Sequence, residues 1–167
     1  MKKFFLSIVT FLIVASGNSQ TAEEYFNRGA EKSNLEKYSE AIEDFTKAIE
    51  INPHNAIYYC YRANARVCNQ DYIGAVIDYT KAVEINPSYA DAYSNRGNAK
   101  MILIDYRGAI IDYTRAIEIE PNFAQAFSNR GLAKIFLGQK DDGCLDLSKA
   151  GELGLDFAWD AIQEYCK

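Results

Sequence analysis

Two stretches of this chain are nearly the same, NPSYADAYSNRGNAK at residues 86–100 and EPNFAQAFSNRGLAK at residues 120–134. The second stretch begins 34 residues after the first. The three prolines of the chain, Pro53, Pro87 and Pro121, keep the same spacing of 34 residues. A fixed period of this size is the signature of a repeat protein, in which each copy is one supersecondary unit.

Several other residue types recur with the same period. The arginine, aspartate and alanine series are Arg28, Arg62, Arg96 and Arg130; Asp44, Asp78, Asp112 and Asp146; Ala48, Ala82, Ala116 and Ala150. The apolar residues of one unit recur at steps of three and four, as in AIIDYTRAIEI at residues 109–119, and this spacing predicts a helix. A similar pattern in the first half of the unit, and a short turn between the halves, predict two antiparallel helices per unit.

The residues that precede the prolines, Asn52, Asn86 and Glu120, are expected to end each second helix, because a following proline disfavours helical backbone. Small residues hold one position on each helix and allow the paired axes to approach closely. They are Gly29, Ala63, Gly97 and Gly131 on the first helices, and Ala41, Ala75, Ala109 and Gly143 on the second. One helix pair cannot bury both of its faces, so the pairs must stack.

These residues resemble the tetratricopeptide repeat, whose pattern places aromatic, small, aromatic, alanine and proline residues at fixed positions of a 34-residue unit. In the unit that starts at residue 22, the matching residues are Tyr25, Gly29, Tyr38, Ala41, Phe45, Ala48 and Pro53. The expected repeats are 22–55, 56–89, 90–123 and 124–157. The last one departs from the pattern, since Lys140, Leu147 and Leu155 replace tyrosine, the aromatic residue and proline. A terminal unit is expected to be atypical.

The resemblance implies an all-α fold, a tetratricopeptide α-solenoid of about four helix-turn-helix repeats that occupies residues 20–167. Apolar residues in LDFAWDAIQEYCK, at the end of the chain, are spaced for one more amphipathic helix over 156–166. We interpret this segment as a capping helix that covers the last pair. The alternative is a frayed tail.

The first residues have the layout of a secretory signal peptide, which we place at residues 1–19. Lys2 and Lys3 precede an apolar run over residues 4–15, and small residues follow it. The alternative is a membrane anchor, but the run is shorter than the ~20 residues of a spanning helix. Cleavage after Gly17 and cleavage after Ser19 both fit this layout. The mature chain would therefore be exported, to the periplasm or the extracellular space, with no membrane span left.

Composition argues against several function classes. The net charge is −5, and loss of the two lysines with the signal peptide would make the chain more acidic, so nucleic acid is not an expected partner. The single histidine, His54, lies in a turn between repeats, and there is no metal-ligand spacing and no glycine-rich phosphate loop. We predict no cofactor, no metal and no enzymatic activity. A hydrolase or a sugar-binding accessory remains the least favoured reading.

The arginine and aspartate series allow two interpretations. A row of free arginines would bind anions, whereas arginines paired with aspartates on neighbouring helices would be structural. We favour pairing because buried charges are retained when they are paired. The candidate pairs are Asp44 with Arg62 and Asp78 with Arg96.

The resemblance implies a concave groove, lined by the first helices, as the binding surface. One subgroup of the family holds acidic C-terminal peptide tails with a clamp of Lys, Asn, Asn, Lys and Arg. The corresponding residues here are Cys60, Asn64, Asn95, Gln125 and Asn129, so the asparagines remain and every basic residue is missing. We predict that this chain does not bind such acidic tails.

The remaining groove is polar and nearly uncharged, and its predicted peptide-binding residues are Tyr61, Asn64, Ser94, Asn95, Asn98, Gln125, Ser128 and Asn129. Amide side chains both donate and accept hydrogen bonds, so an extended or helical peptide segment is the expected ligand. We predict an exported, non-enzymatic scaffold for protein–protein interaction. The alternative is a structural or self-associating envelope protein, for which the partner is a second copy of the chain in a homo-oligomer. Each of these side chains could also simply solvate the surface or pack between repeats.

Four cysteines are present in a chain that we expect to enter an oxidising compartment. Cys60 and Cys68 lie eight residues apart on one predicted helix, about 12 Å, which is too far for a bond. Cys144 lies at the start of the second helix of the last repeat, and Cys166 lies at the end of the capping helix. The two cysteines therefore meet if these two helices are antiparallel. We predict a Cys144–Cys166 disulfide, with a contribution of roughly 3 kcal/mol. The alternative is four free, packed thiols.

Overall fold

A computed structural model describes residues 20–167 and shows nine α-helices and no strand within that range. The predicted signal peptide, residues 1–19, lies outside the described residues. The helices are α1 Ala22–Asn34, α2 Tyr38–Ile51, α3 Ala56–Cys68, α4 Tyr72–Ile85, α5 Ala90–Ile102, α6 Tyr106–Ile119, α7 Ala124–Phe136, α8 Lys140–Glu152 and α9 Phe157–Tyr165. The predicted all-α solenoid of helical hairpins is confirmed.

The helix boundaries follow from local chemistry. The chain enters α1 through a capping box, in which Thr21 accepts from the Glu24 amide and the Glu24 side chain accepts from the Thr21 amide. The Asp71 side chain caps α4 in a related way by accepting from the Gly74 amide. The helices α2, α4 and α6 each end one residue before the residue that precedes a proline, as predicted.

The helices pack in chain order. Each helix packs mainly against the helix before it and the helix after it, and the contacts are most extensive within a hairpin. Close approach inside a hairpin depends on small residues. A Cβ atom at Gly97 would lie 2.7 Å from Tyr113 Cε1, so a larger residue would force the Tyr113 ring between α5 and α6 to move.

The core is therefore a row of similar small clusters rather than one central mass. Alanines at equivalent positions of the second helices are fully buried, and one large side chain per hairpin fills the space beside them. The large hydrophobic side chains with at most 2% exposure are Phe45, Tyr79, Tyr113 and Leu147. In such an array the free energy of folding is approximately the sum of one contribution from each repeat and one from each interface between neighbouring repeats.

A residue with positive φ occupies the turn inside each hairpin. The four residues are Glu36, Gln70, Ile104 and Gly138, with φ values of 59°, 62°, 63° and 85°. Glycine adopts this left-handed conformation without strain, whereas the β-branched Ile104 is strained in it. Ile104 is also 71% exposed, so packing does not compensate for the strain.

Helix α9 packs against α8 and closes the end of the array. Ala158 and Ala161 form its buried face, and the Trp159 ring covers Gly151 so closely that a Cβ there would lie 2.5 Å from Trp159 Cε2. The interpretation of this segment as a cap, and not a frayed tail, is confirmed. Within the described residues 20–167, none of the helices has the length and hydrophobicity that a membrane span requires.

Candidate functional site

The repeated arginines and aspartates form buried ion pairs inside each hairpin. Arg62 Nε and Nη2 donate to Asp78 Oδ2 and Oδ1 at 2.8 and 2.7 Å, and Asp78 is 1% exposed. Arg28 with Asp44 and the two later pairs repeat this geometry. The structural interpretation is thus supported over a row of free arginines.

The predicted partners were nevertheless wrong. Asp44 pairs with Arg28, not with Arg62, and Asp78 pairs with Arg62, not with Arg96. Each aspartate on a second helix faces the first helix of its own hairpin, where the two helices approach most closely. The arginine of the following hairpin instead donates Nη1 to a threonine, as Arg62 does to Thr46 Oγ1 at 3.0 Å.

A second cation at each aspartate was missed by the sequence analysis. Arg66 Nη1 lies 3.0 Å from Asp78 Oδ2, and Lys100 Nζ lies 2.8 Å from Asp112 Oδ2. The equivalent residues of the other hairpins are Lys32 and Lys134. The signal was present in the sequence, because these four basic residues also recur every 34 residues.

This double pairing has an electrostatic consequence at Asp44. The hydrogen bond from Arg28, with that from Lys32, lowers the pKa of the Asp44 carboxyl despite its burial. The same contact raises the pKa of Arg28 and of Lys32. The arginines also stack over aromatic rings of the first helices, with Arg62 Cζ 5.7 Å from the centre of the Tyr59 ring. All these cations serve the fold and are not free for a ligand.

The predicted groove residues lie on the first helices α3, α5 and α7, but two of the eight do not face solvent. Ser94 is 3% exposed and Ser128 is 0% exposed, so their assignment to the open groove is corrected. Both serines lie on the side of their helix that faces the neighbouring hairpin, as does Cys60 at the equivalent position of α3. The Ser128 hydroxyl has no hydrogen-bond partner among the described residues. The other six are at least partly exposed.

Hydrogen bonds link several of the groove amides across adjacent repeats. Gln125 Nε2 donates to Asn129 Oδ1, and Asn129 Nδ2 donates to Asn98 Oδ1, both at 2.8 Å. Asn98 Oδ1 also accepts from the Tyr113 hydroxyl at 2.8 Å. This network joins α5, α6 and α7 and fixes the orientation of the Asn98 amide.

Asn64 is held in the same way one repeat earlier. Its Oδ1 accepts from the hydroxyl of Tyr79, and burial raises the pKa of Tyr79, so this hydroxyl keeps its proton. With the oxygens of Asn64 and Asn98 occupied, their Nδ2 groups remain as donors for a ligand. Neither group donates to any residue of the described part of the chain.

Two adjacent cavities lie along this surface. One, of about 250 Å³, is lined by Asn64, Val67, Cys68, Tyr79, Asn95, Asn98, Ala99 and Ile102. The other, of about 260 Å³, is lined by Ser33, Asn34, Tyr38, Tyr61, Asn64, Ala65 and Cys68. Asn64 and Cys68 belong to both walls, and neither cavity has a charged side chain in its lining. Tyr61, which lines the second cavity, also packs in an aromatic cluster, and the centres of the Tyr61 and Phe26 rings are 4.8 Å apart.

The four cysteines separate into a pair and two free thiols. Cys144 and Cys166 are at disulfide distance, with Cα atoms 5.9 Å apart, at the junction of α8 and the cap. Cys60 and Cys68 are free. Burial raises the pKa of the Cys60 thiol to about 12, whereas Cys68 is exposed in the groove.

Across residues 20–167, no cluster of three or more His, Cys, Asp or Glu side chains could hold a metal ion.

Comparison with known proteins identifies the same repeated helical hairpins that the structure shows. Models of the tetratricopeptide repeat match residues 22–55 and 90–123, and a TPR repeat model matches residues 64–101. Small glutamine-rich tetratricopeptide repeat-containing protein alpha of Rattus norvegicus is 44% identical over 48 residues, which are 29% of this chain. That stretch is 15% of the rat protein, so the chain spans a small part of this relative's length.

Two solved structures illustrate the similarity of the fold. A crystal structure of MamA has a TM-score of 0.77 and 26% identity, and the match covers 79% of this chain and 77% of MamA. The first TPR of Spaghetti (RPAP3), bound to the HSP90 peptide SRMEEVD, has a TM-score of 0.69 and 33% identity, over 72% of this chain and 95% of that domain. Since the repeat models together match more than half of the chain and a domain matched over 95% of its length is 33% identical, the chain belongs to the tetratricopeptide repeat family.

Proposed function

We propose that this chain is an exported, non-enzymatic scaffold that binds an uncharged, extended segment of a partner protein in the groove formed by α3, α5 and α7. Proteins built of these repeats are generally non-enzymatic scaffolds. The observation that carries the proposal is the pair of adjacent cavities with amide-rich walls and no charged lining residue. Asn64 and Asn98 offer their amide donors there, and backbone carbonyls of an extended peptide are suitable acceptors.

The related Spaghetti (RPAP3) domain supports the ligand class, because it is bound to a peptide. That peptide, SRMEEVD, carries three acidic side chains and would need cationic partners in the groove. In this chain the cavity walls of the groove carry no basic residue, and the nearby Arg62, Arg66, Arg96 and Lys100 are paired with buried aspartates inside the hairpins. We therefore expect a neutral peptide segment to bind and the acidic one to be rejected.

A capture experiment tests the groove. A photo-reactive crosslinker is applied to the protein in the cell envelope of its host, and captured proteins are identified by mass spectrometry. The double variant Asn64→Ala/Asn95→Ala, which removes two amides of the cavity walls, should reduce capture of the main partner by about tenfold or more, as expected for loss of two interface hydrogen bonds. Asn122→Ala, which removes an exposed amide in the turn before α7, is the matched control. Equal capture by both variants would place the partner on another surface.

Two further measurements test the rejection of the acidic peptide and the export of the chain. Synthetic SRMEEVD, labelled with a fluorophore, should show no saturable change in anisotropy with the purified protein. Mass spectrometry of the protein recovered from the envelope fraction should give an N-terminus after Gly17 or Ser19. A protein found in the cytoplasm with Met1 retained would exclude export.

The alternative, a structural envelope protein that associates with itself through the groove, makes a different prediction. It requires a stable oligomer in which Asn95 and Asn129 are buried. Light scattering, combined with hydrogen exchange on α5 and α7, would detect such an assembly.

A further inference from the structure

A cavity of about 360 Å³ lies away from the groove, and it is larger than either of the two groove cavities. Ile110 and Ile111 of α6 and Leu137 of the α7–α8 turn form its apolar lining, and Arg107 and Gln139 complete it. None of these five residues belongs to the predicted groove. The volume is at the small end of the range for ligand pockets, enough for one bulky side chain.

The charged side chain in this cavity wall, Arg107, has no ionic partner within residues 20–167. Arg107 is exposed and makes no ion pair and no side-chain hydrogen bond with any residue that the structure describes. By contrast, Arg115 on the same helix pairs with Glu118 at 2.9 Å. Beside Arg107, Ile111 is 68% exposed. An apolar pocket next to a free guanidinium suits a bulky apolar side chain that is flanked by a carboxylate.

The cap helix of the same chain presents that combination. Phe157 is 58% exposed, and the exposed Asp160 follows it by three residues, which places both side chains on one face of α9. Phe157 does not belong to the buried face of the cap, which Ala158 and Ala161 form. The cap thus exposes an aromatic ring that its own packing does not use.

We propose that Phe157 of one copy enters the α6 pocket of a second copy, and that Arg107 of the receiving copy pairs with Asp160 of the inserting copy. The two surfaces differ, so a reciprocal exchange of caps would close a dimer and a one-way contact would extend a chain of copies. Neither surface includes a groove residue, so the groove stays open to a peptide. The inference is therefore independent of the proposed peptide binding.

Sedimentation velocity over a wide concentration range tests this contact, with the protein as recovered from the expressing cells. Self-association is expected, and both Arg107→Glu and Phe157→Ala should weaken it by about 30-fold, the effect of losing an interface hot spot. The matched controls are Arg115→Glu, an equal charge change on α6, and Leu35→Ala, which truncates a similarly exposed apolar residue at the end of α1 that belongs to neither surface. Both controls should associate like the parent protein.

A charge exchange makes the test specific. Asp160→Lys combined with Arg107→Glu restores the ion pair with reversed polarity and should recover association to within about threefold of the parent. Circular dichroism confirms that each variant is folded. A parent protein that stays monomeric at every concentration would overturn the proposal. Association that survives both Arg107→Glu and Phe157→Ala, or that Asn95→Ala abolishes, would overturn it as well.

Discussion

Arg62 and Asp78 are joined by two hydrogen bonds across one helical hairpin, Nε to Oδ2 at 2.8 Å and Nη2 to Oδ1 at 2.7 Å. Arg66 contacts the same carboxylate from one turn further along α3. Loss of the carboxylate would leave two partly buried cations without their partner, and such a loss is costly.

Asp78→Ala should therefore lower the free energy of unfolding by about 3–5 kcal/mol. Urea denaturation followed by circular dichroism measures this change. Glu84→Ala is the matched control, because Glu84 forms an exposed pair with Lys81 at 2.7 Å and its removal should cost under about 1 kcal/mol. Similar losses for the two variants would show that the buried pairs do not stabilise the hairpins.

Asp44 should make stability depend on acid pH. Its pKa is lower in the folded chain, chiefly through the hydrogen bond from Arg28, than the value of about 3.9 for an unfolded aspartate. The stabilisation is complete above the unfolded pKa and is lost as the pH falls through the folded pKa. Asp44→Asn should thus be most destabilising near neutral pH, and its difference from the parent protein should shrink below about pH 4.

Denaturation at a series of pH values measures that difference directly. Glu43→Gln, which neutralises an exposed carboxylate beside Asp44, is the control and should show little change with pH. A difference between the Asp44→Asn variant and the parent that stays constant down to about pH 2 would contradict the assignment.

Ile104 should tolerate replacement better than an exposed isoleucine in a helix. Because φ is 63° at this position, Ile104→Asn should relieve strain and raise the free energy of unfolding by about 1 kcal/mol. Ile77→Asn, at an exposed position inside α4, should instead lower it slightly through weaker helix propensity. Thermal unfolding of the two variants compares them, and a loss of stability for Ile104→Asn would argue against strain in this turn.

Gly97→Ala should destabilise the chain although alanine normally favours helix. The added Cβ would lie 2.7 Å from Tyr113 Cε1, and such overpacking costs about 1–3 kcal/mol. The cost should become smaller when Tyr113 is first replaced by leucine, which removes the opposing ring. An unchanged cost in that background would indicate a different cause.

The cysteines should react in three distinct classes with a thiol-alkylating reagent. In the native protein only Cys68 should be labelled, since Cys60 is buried with a pKa of about 12. Denaturation without reductant should add Cys60, and reduction should add Cys144 and Cys166. Mass spectrometry counts the labels, and Cys68→Ser should remove the native label. Labelling of Cys144 or Cys166 without reduction would show that the bond does not form.

The spacing of one short phrase was enough to predict the solenoid because contacts in this fold are nearly all between helices adjacent in the chain. Local apolar periodicity predicts each helix, and the prolines mark where the second helices end. The groove was predicted less well. Ser94 and Ser128 were expected on its surface and are buried, because a rotation of only about 100° about the helix axis, the step from one residue to the next, separates an inter-repeat position from a groove position.

The sequence by itself determined the repeat unit, the all-α class, the cap and the proximity of Cys144 to Cys166, since all of these depend on period and chain order. Only the tertiary structure decided which aspartate each arginine meets, because Asp44 lies 16 residues after Arg28 and 18 before Arg62 and the spacing favours neither. It also decided that Arg107 lines a pocket without an ion-pair partner among the described residues. Both depend on how closely particular helix faces approach, and the packing of side chains between hairpins sets that approach.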